Sequence, residues 1–191
     1  MAMPAGQRRW TAREVRDHIA KSPLASPRYE LVDGELLVTP SPNESHQGAV
    51  ARLLARLIEY LERNPIGRAY TSPFDVELEP NTIVQPDVFV VPMGELRRMR
   101  GQPPARELLI AVEVLSPSSI RHDLGKKRDL YQRQVPEYWV VDLDARRFER
   151  RRQHSDQPEL LIDKLEWWPA GAYEAFVLDL PRYFTSVLDL S

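Results

Sequence analysis

The sequence predicts an α/β protein built on a mixed β-sheet flanked by helices, and three observations predict it. The stretches Val84–Val91 (VQPDVFVV) and Leu108–Leu115 (LLIAVEVL) are apolar runs of strand length, rich in Val and Ile. Such runs fit strands buried on both faces of a sheet. Glu137–Leu143 (EYWVVDL) is a third run of the same kind. Between the second and third lies a segment of helical periodicity, so at least one pair of strands is joined by a crossover helix.

The elements follow in order. Residues 1–9 are expected to fray. Thr11 with Glu14 forms a capping-box signature for a short helix, TAREVRDHIAKS, closed by Pro23. Tyr29–Val32 and Glu35–Val38 read as two strands about a type I′ turn at Asp33-Gly34. After the break at Pro40–Asn43 comes the strongest helical pattern in the chain, Glu44 to about Arg63. There Val50, Leu53, Leu54, Leu57, Ile58 and Leu61 recur at helical spacing. Asn64–Gly67 ends it, and alternation predicts a strand over about Ala69–Leu78. Glu79-Pro80-Asn81 turns the chain into the Asp87 strand, which Pro92 ends. Met93–Arg106 reads as a polar excursion with one helical turn. The Glu113 strand stops at Ser116–Ser119, and Asp123 is the expected N-cap of a helix running to about Gln134. From Phe148 onward the pattern is of further strands and turns, with Trp167-Trp168-Pro169 and Pro181 as punctuation. The whole, 1–191, reads as a single domain with a core of about 29–143 and a β-rich extension of about 144–191.

Composition narrows the function classes. The chain is 42% hydrophobic and 28% charged, ordinary for a globular protein. It has no cysteine, which excludes disulfides, thiolate zinc sites and a cysteine nucleophile. No stretch approaches the ~20 apolar residues of a membrane span, and the N-terminus lacks the apolar core of a secretory signal, so no membrane partner and a cytoplasmic location are expected. The formal net charge of −2 gives no overall electrostatic sign of nucleic-acid binding. Arg146, Arg147, Arg150, Arg151 and Arg152 crowd one short span, which reads first as a charged, solvated edge strand. There is no Gly-rich phosphate loop, GxSxG elbow or HExxH spacing.

What stands out is a carboxylate inside each of two apolar strands, Asp87 and Glu113. A buried charge is costly unless it is paired or holds a metal. Either residue alone is explained by an ion pair with Arg or Lys; the two together point to a divalent-metal site. Oxygen donors on adjacent strands, with positions left for water and phosphate, suit magnesium or manganese. On the following helix Leu124, Lys127, Leu130, Tyr131 and Gln134 share one face, so Lys127 is expected to meet the sheet while Lys126 is rotated about 100° away. A lysine there can stabilise charge on a phosphorane or orient a water, and a structural ion pair to Asp87 or Glu113 would look the same. Glu35, just after the turn, is on residue physics alone a solvated carboxylate. His46 is the histidine placed where a pocket is expected, with a capping or surface role.

The stretches YELVDGELLVTPSPNESHQ, VQPDVFVV, LLIAVEVLSPSS, RHDLGKKRDLY and EYWVVD, in that order, resemble the PD-(D/E)XK nuclease superfamily and, within it, the Uma-two restriction endonuclease family. The resemblance implies a restriction-endonuclease-like mixed sheet flanked by helices and a metal-dependent endonuclease that hydrolyses DNA. It implies Asp87 and Glu113 as ligands of Mg²⁺ or Mn²⁺, and Glu35, from the YEL-DGE signature, as an accessory ligand or water-orienting base. The superfamily's lysine normally stands two residues after the second acid; here that position is Leu115, and Lys127 on the next helix matches the smaller family's pattern. Asp87→Ala or Glu113→Ala is expected to abolish cleavage and to leave the fold intact. Cutting both strands of a duplex would be easiest for a homodimer. The alternative is an inactive nuclease-fold protein that binds nucleic acid or protein, its charged cluster retained as ion pairs.

Overall fold

The computed structural model of the chain describes residues 8–21, 27–39, 41–115, 125–155 and 157–189. Helix α1 (Ala12–Ala20) begins at a full capping box, with the Thr11 hydroxyl accepting from Glu14 N–H and the Glu14 carboxylate accepting from Thr11 N–H. Strands β1 (Arg28–Val32) and β2 (Glu35–Thr39) form the expected hairpin; Asp33 and Gly34 take φ of 52° and 75°, as a type I′ turn requires. Helix α2 (Glu44–Arg63) has the predicted bounds and is N-capped by Asn43. Strand β3 (Gly67–Thr71) is shorter than its alternation suggested. The chain bends at Ser72-Pro73, and Val76 makes only isolated bridges to Val84 and Ala105. Then come β4 (Val88–Pro92), α3 (Met93–Met99), β5 (Ile110–Val114), α4 (Lys126–Gln134) and β6 (Glu137–Asp142). The expected N-cap Asp123, like Leu124, lies outside the described residues.

Strands β3 to β8 form one sheet in sequential order, with β7 at Arg147–Arg152 and β8 at Glu159–Leu161. Only β5–β6 is parallel, and α4 lies in the connection between them. Alternation sends Val88, Val90, Ile110, Val112, Val114, Trp139 and Val141 to one face, where Leu53, Leu57 and Tyr60 of α2 cover them. The other face carries Phe89, Val91, Ala111, Tyr138 and Val140, covered by Met99 of α3 and by Leu130, Tyr131 and Val135 at α4. Glu113 occupies an apolar residue's place on that second face.

The extension differs from its reading in two ways. It contains strands β9 (Lys164–Trp167) and β10 (Phe176–Asp179), but it ends in a helix, α5 (Leu180–Leu188), capped by Asp179 with Pro181 in its first turn. Leu180, Tyr183 and Phe184 enter the core beside α2. The arginine-rich β7 is also not an edge: it pairs with β6 and β8, and Arg150 is buried with its guanidinium on Glu159. The other arginines of that strand pair with Asp142, Glu149 and Glu137.

Candidate active site

The antiparallel register sets Val88 opposite Val112, so Asp87, one residue earlier, falls beside Glu113. Both carboxylates are buried at the same end of neighbouring strands. Asp87 Oδ2 accepts from Val114 N–H at 2.9 Å and from His46 Nε2–H at 3.0 Å, the tautomer that an acceptor-only carboxylate demands. Its Oδ1 accepts from Arg28 Nη1 at 2.8 Å, and its carbonyl from the Thr71 hydroxyl. Burial pushes the Asp87 carboxyl up, but the His46 hydrogen bond, the Arg28 charge and the Val114 N–H outweigh it and hold it at about 2.

Glu113 has a different partner set. Lys127 Nζ is 2.6 Å from its Oε1, and the Tyr131 hydroxyl donates to the same oxygen at 3.0 Å. Burial keeps the Tyr131 phenol protonated, well above its ordinary range, so it stays a donor. Lys127 is buried and reaches a second acid, Glu30 Oε2, at 3.1 Å. Glu30 Oε1 in turn accepts from Gln85 N–H at 2.7 Å. Arg28 and Glu30 are two apart on β1 and share its face. Strand β1 is drawn alongside the chain leading into β4 by the paired bonds Leu31 N–H to Ile83 O and Ile83 N–H to Leu31 O. Burial alone would lower the Arg28 guanidinium, but the charges of Asp87, Glu113 and Glu30 outweigh it and raise it, so one cation serves three acids.

Of the residues expected from sequence, Asp87, Glu113 and Lys127 come together. Lys126 points outward, as its rotation on the helix requires, and pairs with Glu35. Glu35 therefore sits at the surface, outside the buried cluster, and the acid that the hairpin brings to the cluster is Glu30. His46 is buried rather than at the surface, since the first turn of α2 lies directly over Asp87. Arg28 and Glu30 carried a usable sequence signal: in RYELV they alternate with Tyr29 and Leu31, charged residues within a strand that is apolar at its end. That signal weakens in a hairpin, where one face is ordinarily solvated.

The donor chemistry fits a hard divalent cation. Asp87 and Glu113 offer only oxygen, and Asp87 accepts three bonds of the roughly four its lone pairs allow. Among the described residues no group of three or more His, Asp and Glu side chains is arranged to hold a metal. A cation here would take two protein carboxylates and complete its shell with water and phosphate, as magnesium usually does.

The profile of the Uma2 family, described as "Putative restriction endonuclease", matches residues 18–180. Among solved structures, a "putative nuclease belonging to DUF820" from Anabaena variabilis ATCC 29413 superposes with a TM-score of 0.74. It is 20% identical, over 90% of this chain and 98% of its own, and the likeness is one of fold. No curated protein matches the chain.

Proposed function

The chain belongs to the Uma2 family, and on that premise we propose that it is a metal-dependent endonuclease that hydrolyses phosphodiester bonds of DNA. The observation that carries the reading is the meeting of Asp87, Glu113 and Lys127 at one end of β4 and β5, inside a buried network. Asp87 and Glu113 would hold Mg²⁺ or Mn²⁺, which supplies Lewis acidity and a water of lowered pKa when bound. The chain's own groups do the rest. Lys127 presents a desolvated ammonium to the charge that develops on the phosphate, where a preorganised donor is worth most. Glu30 and Glu113 hold that ammonium from two sides, and Tyr131 fixes the rotamer of Glu113. His46, Arg28 and Val114 N–H keep Asp87 ionised and aimed. Glu35, paired with Lys126 outside the cluster, is left a place at the rim of the site.

The test is supercoiled plasmid incubated with the protein in Mg²⁺ and in EDTA. Nicking that requires Mg²⁺ is expected; no cleavage, or equal cleavage in EDTA, overturns the reading. The same gel reports the partner copy, because a homodimer gives linear product early and a monomer accumulates nicked circles. One observation favours the second reading, a binding module without activity: both oxygens of Asp87 are already satisfied by protein donors. Calorimetric titration with Mn²⁺ separates the two, since a module held by ion pairs alone shows no binding at millimolar metal.

A further inference from the structure

Beside Asp87, and reaching away from it along α2, lies a cavity of about 380 Å³. Val50, Ala51 and Leu54 of α2 and Pro73 make its apolar walls, and Arg28 and His46 stand at its polar end. The volume is at the lower end of the ~300–1,000 Å³ of small-ligand pockets, room for one nucleotide unit and not for a duplex.

The polar end is built but incompletely satisfied. Arg28 Nη1 is shared among Asp87 Oδ1 at 2.8 Å, Ser72 Oγ at 2.9 Å and Gln85 O at 3.4 Å. Arg28 Nε and His46 Nδ1 are buried with no hydrogen-bond partner among the described residues, and His46 as a whole is only 5% exposed. Buried polar atoms without partners are uncommon, and they leave both side chains at this end of the cavity with donor or acceptor capacity in hand. Guanidinium is the side chain best matched to a phosphate's geometry. Charge decides when an anion is admitted. Glu30, Asp87 and Glu113 face Arg28 and Lys127, which leaves one negative charge in excess. A divalent cation on the carboxylates would reverse that sign and release Arg28 from its duty to Asp87.

We infer that this cavity is a nucleotide subsite, taking the sugar and base of a nucleotide turned out of the duplex next to the bond that is cut, with Arg28 holding its phosphate. The inference rests on the endonuclease reading for its place in the reaction, but binding can be measured without cleavage.

The probe is thymidine 5′-monophosphate, titrated calorimetrically into the whole protein in Ca²⁺ and in EDTA. Binding in Ca²⁺ that weakens at least ~10-fold in EDTA is expected, a loss of the size of one charge-assisted hydrogen bond. Ala51→Trp fills the cavity from an exposed helix position, so the fold is kept. It should lose at least ~10-fold in nucleotide affinity and leave Mn²⁺ affinity unchanged, and Arg28→Gln should lose a similar factor. Wild-type nucleotide affinity in Ala51→Trp, or no binding to the unaltered protein at millimolar nucleotide, overturns the subsite. Plasmid cleavage in Mg²⁺ by a protein that does not bind the nucleotide sinks the subsite alone. Nucleotide binding without plasmid cleavage sinks the endonuclease reading alone.

Discussion

Asp87 is the residue on which charge, burial and chemistry converge. Its carboxyl is held at about 2 instead of 3.8, so the folded state binds its proton more weakly than the unfolded chain does. Stability from this group is therefore present above pH ~4 and lost as pH falls toward 2, on the order of 2 kcal/mol. Denaturant midpoints measured from pH 5 to 2 should fall steeply for the unaltered protein and less steeply for Asp87→Asn. The burial also bears on the expectation that Asp87→Ala keeps the fold. It would leave Arg28 without its carboxylate partner at only 12% side-chain exposure, a change that typically costs ~3–5 kcal/mol. Isosteric variants read the chemistry better. Lys127→Met, filling the same volume without the charge, should lower cleavage by ~10²-fold or more. It also strands Glu30 and Glu113, so circular dichroism must show native structure before the rate is interpreted.

At the scale of elements, the site depends on how closely neighbouring pieces approach. Gly67 opens β3 opposite Pro92, and a Cβ there would stand 2.5 Å from the Val91 carbonyl oxygen. Gly67→Ala must therefore push β3 from β4, and a cost of ~1–3 kcal/mol is expected in chemical denaturation. The hairpin β1–β2 matters for a different reason. It is bonded to Ile83 through Leu31, and this pairing is what carries Arg28 and Glu30 to the end of β4. Helix α4 adds Lys127, Leu130 and Tyr131 from one stripe, which its periodicity foretold because a helix facing a sheet must bury one side. The shortness of β3 and the bridge at Val76 were not foretold: Phe74, Val76 and Leu78 alternate with Asp75, Glu77 and Glu79, but Pro73 cannot donate to a ladder.

Across the whole molecule, the C-terminal segment supports the site from behind. Tyr183 donates to the carbonyl of Ala49 at 2.9 Å, one turn beyond His46, and Phe184 packs in the same core as Leu53 and Leu57. Phe184→Ala is expected to cost ~3–5 kcal/mol, measured by thermal or chemical unfolding, with Mn²⁺ affinity retained in the protein that remains folded. Among the described residues no helix is long and apolar enough to cross a membrane. The exposed Trp168 and Tyr173 lie in the loop between β9 and β10, while Trp167, the last residue of β9, is buried against Trp139 and Tyr60.

The sequence by itself determined β4, β5 and β6, the α2 helix, the β1–β2 hairpin with its turn and the stripe that buries Lys127, because each is written in a local period or a local turn. It also singled out Asp87 and Glu113, since a carboxylate within an apolar strand is visible without coordinates. Only the tertiary structure decided which residues surround them. Arg28, Glu30 and His46 come from elements distant in the chain, and nothing local sets the register by which β1 meets Ile83 or α2 begins over Asp87. The same holds for Glu35 and Glu30: both are hairpin carboxylates in sequence, and long-range packing buried one and left the other to Lys126 at the surface.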